Sequence, residues 1–101
     1  MRFAYIATEL PIEAAAELLR DAALPNGTIE ERDGLNLGGG QYFRVKHEDI
    51  SVIVCWSENY ASPPAPRFHY CAYTFEGDES ELDRIASQLS AKGVEVQIGE
   101  D

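Results

Sequence analysis

Cys55, His69 and Cys71 are the side chains of this chain whose types could ligate a metal or pair a nucleophile with a base. Cys55 stands in the apolar run Ile53-Val54-Cys55-Trp56, and His69 and Cys71 alternate within His69-Tyr70-Cys71-Ala72-Tyr73-Thr74-Phe75. Strand alternation puts all three on one face of two paired strands. Zinc would ask for C-x-x-C or H-x₃-H spacing and a fourth ligand; neither is present, and His47 belongs to another strand. Two cysteines in apolar strands are more often small packed hydrophobes, so no metal and no cofactor is expected. A Cys55–Cys71 disulfide suits facing strand positions but not a reducing cytoplasm. A nucleophilic cysteine needs a helix N-terminus or a cationic neighbour, and Cys55 has neither in sequence. The expected catalytic set is empty.

Other motifs weigh less. Gly38-Gly39-Gly40 lacks the Lys-Ser/Thr of a phosphate loop and reads as a turn or linker. The rings between His69 and Phe75 lack the Lys/Arg-Gly start of an RNA-recognition strand. Pro63, Pro64 and Pro66 stiffen a connection that is tethered at both ends. Acid/base work by paired carboxylates needs one of them held protonated in an apolar pocket, whereas the acids here crowd polar runs.

Charge is the stronger signal. Eighteen acids against eight bases leave −10 on 101 residues. That field repels polyanions, which argues against direct nucleic-acid or anionic-membrane binding and favours a basic protein partner. The acids are segregated. Glu13, Glu17 and Asp21 recur at i, i+4 and i+8, one stripe of a helix over 11–24. Glu76, Asp78, Glu79, Glu81 and Asp83 crowd one window, and Glu30, Glu31 and Asp33 form a third cluster. Residues 34–47 and 59–75 carry none, only Arg44, Lys46 and Arg67.

The elements that must position these groups follow from periodicity. Residues 2–7 read as a central strand, apolar on both faces. Thr8 is the expected cap of the first helix, with Pro11 in its first turn and Ile12, Ala15, Ala16, Leu19, Ala22 and Ala23 on its apolar stripe. Pro25-Asn26-Gly27 stops it. Residues 28–32 are expected to pair with 35–37 around Asp33-Gly34, a hairpin dipeptide. Strands over 41–46, 50–57 and 67–75 follow, then a helix capped by Asp78 or Ser80, bearing Leu82, Ile85 and Leu89 and ending at Gly93. Residues 94–98 alternate as a last strand. The order predicts a single α+β domain over 1–101, a ferredoxin-like sandwich with two helices on one face of an antiparallel sheet and an extra hairpin.

Helices then cover one face only. A hairpin centred on Pro63 places Cys55 opposite Cys71, Ser57 opposite His69 and Ile53 opposite Tyr73. With Tyr42, Arg44 and Phe75 these residues form an aromatic, acid-free face. It is read either as an interface or ligand site, with a homodimer as one outcome, or as a face covered by the 28–37 hairpin or the C-terminal tail.

Two functions stay in play. One is a non-enzymatic, cytoplasmic binding domain that turns Glu13, Glu17, Asp21, Glu76, Asp78, Glu79, Glu81 and Asp83 toward a basic partner. Its sharpest form is a nucleic-acid mimic inhibiting a nucleic-acid-binding, phage-defence type protein. In size and charge, though in no motif, the chain is similar to small acidic inhibitors encoded by phages, anti-CRISPR proteins among them. The alternative is a small-molecule-binding domain or small enzyme using Tyr42, Arg44, Ile53, His69, Tyr73 and Phe75 on the open sheet face.

Overall fold

The computed structural model describes residues 1–33 and 40–100. Strand β1 (Arg2–Ala7) is followed by helix α1 (Ile12–Ala23). Strands β2 (Thr28–Asp33), β3 (Gln41–His47) and β4 (Ile50–Trp56) come next, and a single turn, α2 (Ser57–Tyr60), leads off β4. Strand β5 (Tyr70–Glu76), helix α3 (Glu81–Ala91) and strand β6 (Glu95–Glu100) complete the described chain. All six strands join one antiparallel sheet in the order β2-β3-β4-β5-β1-β6. A radius of gyration of 11.9 Å is that of a compact chain of this length.

The helical spacing read from sequence is the packing observed. Ile12, Ala15, Ala16, Leu19 and Ala23 of α1 and Leu82, Ile85 and Leu89 of α3 are buried on the same sheet face, against Ala4, Ile6, Phe43, Val45, Val52, Val54, Tyr70 and Ala72. β1 is buried on both faces, as its unbroken apolar sequence demands. The edge strands β2 and β6 carry Glu30, Glu31, Arg32 and Glu95, Gln97, Glu100, charges and amides that keep an open edge from pairing with another chain.

Local details depart from expectation in three places. Thr8 does not cap α1; its hydroxyl accepts from the Leu10 N–H at 3.3 Å, inside the turn before the helix, and Pro11 occupies the cap position. Neither Asp78 nor Ser80 caps α3 through its side chain, and Asp78 instead accepts from the Ser80 N–H at 2.9 Å one turn earlier. The partner of β2 is β3, with Thr28 opposite Lys46 and Asp33 opposite Gln41. A tight turn at Asp33-Gly34 would have paired only a few residues, whereas this register uses all six of β2. The segment 35–37, its expected partner, and Gly38 and Gly39 lie outside the described residues.

Helix α3 ends as the glycine implies. The Val94 N–H reaches the Leu89 carbonyl at 3.1 Å and the Gly93 N–H the Ser90 carbonyl at 3.0 Å, with Gly93 at φ 84°. This paired arrangement satisfies the last carbonyls and returns Val94 to the core.

Candidate functional site

The β4–β5 register follows the sequence expectation: Ile53 faces Tyr73 and Cys55 faces Cys71, while the Ser57 N–H donates to the His69 carbonyl. The face these residues share is not open. Phe3, Tyr5, Ile53, Cys55, Cys71 and Tyr73 form a second buried cluster under Ala61, Ala65 and Phe68 of the connection 57–69. The cover is that proline-stiffened loop, which the sequence reading had not assigned to the task. Arg67 fastens it across the sheet with two hydrogen bonds to Glu95 of β6, at 2.8 and 2.7 Å. This pairing holds the Glu95 carboxyl below its ordinary range. Gly99 belongs to the same packing, since a Cβ there would stand 2.8 Å from the Tyr5 ring.

The face-forming residues therefore part company. Ile53 and Tyr73 are buried, Tyr42 and Arg44 half-buried, and Phe75 exposed. Of the apolar residues on which pairing of two copies was expected to rest, only Phe75 meets solvent. Arg44 donates to Ser51 Oγ at 2.6 Å and pairs with Glu76, its guanidinium lying 5.0 Å over the Phe75 ring. His69 sits apart from these residues, exposed beside Trp56 at the far end of β4 and β5. Cys55 and Cys71 are buried free thiols with Sγ atoms 3.5 Å apart. Among the described residues no group of three or more His, Cys, Asp or Glu is placed to hold a metal ion.

The acids divide too. Most of the 76–83 cluster is engaged within the chain: Glu76 by Arg44, Glu79 by the Arg2 N–H, Glu81 by Arg84, and Asp83 by both terminal nitrogens of Arg2. The Arg2 guanidinium holds the Asp83 carboxyl below its ordinary range, and the Ser80 N–H does the same for Asp78. On α1, Asp21 is bonded to its neighbour Arg20 at 3.0 Å. Glu13 and Glu17 are exposed and have no ion pair among the described residues.

Those two glutamates line a groove of about 360 Å³ between α1 and the β2–β3 hairpin. Glu31 faces them from β2, held by the amide of Gln41 at 2.5 Å, and Ile29 and Phe43 form the floor. Arg20 is the cation at its margin. Glu31 was not among the residues expected at a site. Its place follows from the β2–β3 register, which sets it directly opposite Phe43, and that register is not written in local periodicity.

The chain matches no protein-family model, and no curated protein or solved structure is detectably similar to it. Fold and surface define a small α+β domain with an acidic groove beside its first helix; no helix among the described residues is long and apolar enough to cross a membrane.

Proposed function

We propose that this chain is a non-enzymatic binding domain that engages a basic protein partner through the acidic side of α1. The observation that carries this is the groove itself. Three carboxylates, Glu13, Glu17 and Glu31, surround an apolar floor of Ile29 and Phe43. A lysine or arginine side chain has that same division, an aliphatic stem below a cationic head. Glu13 and Glu17 are available to a partner because no cation of the described chain pairs with them, whereas most of the 76–83 carboxylates are already engaged. Carboxylates spaced along a helix also present charge to a groove built for a phosphate backbone, so the sharpest form of the reading is an inhibitor that mimics nucleic acid against a phage-defence type protein in the cytoplasm.

The scaffold fits this role as a ferredoxin-like core, β1-α1-β4-β5-α3-β6, to which the β2–β3 hairpin is added at the β4 edge. In this view the addition is what builds the second wall of the groove. The test is capture of basic nucleic-acid-binding proteins on the immobilised domain, followed by competition with duplex DNA. The reading expects displacement by DNA and loss of capture in a Glu13→Lys/Glu17→Lys variant. Capture that resists both would sink it.

A further inference from the structure

Two clefts open side by side where β4 ends and β5 begins, and they share Trp56 and His69. One, of about 240 Å³, lies against the 57–69 connection and includes Glu58 and Pro66. The other, of about 290 Å³, lies against the turn into α1 and includes Glu9 and Leu10. The walls are held from within. The Ser57 N–H donates to the His69 carbonyl at 2.9 Å and Ser57 Oγ to the Phe68 carbonyl at 2.5 Å, which fixes the first cleft. Tyr70 donates its hydroxyl to the Leu10 carbonyl at 2.5 Å and packs its ring 4.8 Å from that of Trp56, which fixes the second. A binding surface ordered before its ligand arrives loses less entropy on association.

The charge of this surface is one-sided. Each cleft supplies one exposed carboxylate, Glu58 or Glu9, and neither has a hydrogen bond or ion pair among the described residues. Among the described residues no lysine or arginine lines either cleft, and the neighbouring Arg67 is paired with Glu95. Leu10 is 42% exposed beside them, one of the few large apolar side chains in solvent. Flat rings shared by the two clefts, with one carboxylate in each, match a planar cation carried on a chain. A guanidinium stacks on indole and imidazole faces and donates in a fork to carboxylate, while an ammonium is a compact, strongly hydrated point charge.

We propose that the paired clefts around Trp56 bind an arginine-bearing peptide segment, with the guanidinium against Trp56 and His69 and donating to Glu9 or Glu58. The site is separate from the α1 groove and rests on the proposed function only for the sign of the partner's charge.

Trp56 is the one tryptophan of the chain, so its emission reports this site alone. The experiment titrates the full chain with the peptide acetyl-Gly-Arg-Gly-Arg-Gly-amide at about 0.15 M salt, where the screening length is about 8 Å. The lysine and glutamine versions of the peptide serve as controls. Two variants that each remove two charges from the same −10 are compared, Glu9→Gln/Glu58→Gln and Glu13→Gln/Glu17→Gln. We expect a saturable emission change with the arginine peptide, a weaker one with lysine and none with glutamine. The first variant should bind at least about fivefold more weakly and the second within about twofold of the parent, since only the first removes contacting carboxylates. No saturable change, or equal weakening in both variants, overturns the proposal. Failure of the α1 reading is distinguishable, because it would show as unaltered capture of basic proteins by Glu13→Lys/Glu17→Lys while the Trp56 signal persists.

Discussion

Arg84 of α3 donates from Nη1 to the carbonyl oxygen of Ala23, the last residue of α1, at 2.7 Å. The last carbonyls of a helix have no partner within it and carry the negative end of its dipole, so a guanidinium there both bonds and neutralises. A second bond to Glu81 Oε2 at 2.8 Å holds the guanidinium on its own helix. Removing it with Arg84→Ala should lower stability by about 1–2 kcal/mol, between what a neutral hydrogen bond and one to a charged group contribute. The measurement is the urea midpoint at unchanged slope; a shift within error would show that the contact contributes nothing.

Arg2 and Asp83 join β1 to α3 through bonds of 2.7 and 3.2 Å, and this contact holds the Asp83 carboxyl below its ordinary value of 3.8. A depressed carboxylate stabilises the fold above its unfolded pKa and loses that contribution as pH falls through the lowered value. Thermal midpoints of the parent and Asp83→Asn should therefore differ at neutral pH and converge as pH drops below 3.8. Both partners are solvent-accessible, so high salt should shrink the difference as well. A gap that widened toward acid would contradict the pairing.

Among the described residues, Phe68 is the largest fully buried side chain that the 57–69 connection sets on the second sheet face. Phe68→Ala should cost about 3–5 kcal/mol as a large-to-small deletion. It should also loosen the cover over Cys55 and Cys71, both buried. Thiol labelling in the parent is expected to follow global unfolding, and in the variant to run ahead of it. Equal labelling of both proteins at matched stability would mean that the loop does not shield this face.

Gly93 closes α3 at φ 84°, and beyond its two chain neighbours no atom of the described residues lies within 4 Å of where a Cβ would stand. Gly93→Ala should thus be destabilising for conformational reasons alone, by about 1 kcal/mol. The crystal structure of the variant should show the same turn. A neutral substitution would mean that the left-handed cap carries no strain for alanine.

The acidic groove makes its own kinetic prediction. Glu13→Lys/Glu17→Lys replaces attraction by repulsion, so association with a captured basic partner should slow by at least about tenfold at low salt and approach the parent's rate near 1 M salt. Folding stability should stay within about 0.5 kcal/mol, since these charges are exposed and unpaired. Stopped-flow association rates across a salt series check the first point, and urea midpoints of the two proteins the second.

Local periodicity determined much of this molecule. Alternation through 50–57 and 67–75, with prolines between them, was enough to place Cys55 opposite Cys71 and Ile53 opposite Tyr73. The 3.6-residue spacing of Ile12, Leu19, Leu82, Ile85 and Leu89 was enough to assign them to one core, because each pattern is complete within a few residues of chain. Only the closed structure decided which acids are free. Asp83 is neutralised by a residue 81 positions away and Glu76 by one 32 positions away, so net charge by window could not separate them from Glu13 and Glu17. Tertiary structure likewise chose β3 as the partner of β2, which brought Glu31 to the α1 groove, and laid the 57–69 connection over a face that alternation alone leaves bare. Side-chain direction is a property of one strand, whereas cover and charge pairing depend on what the rest of the chain brings alongside it.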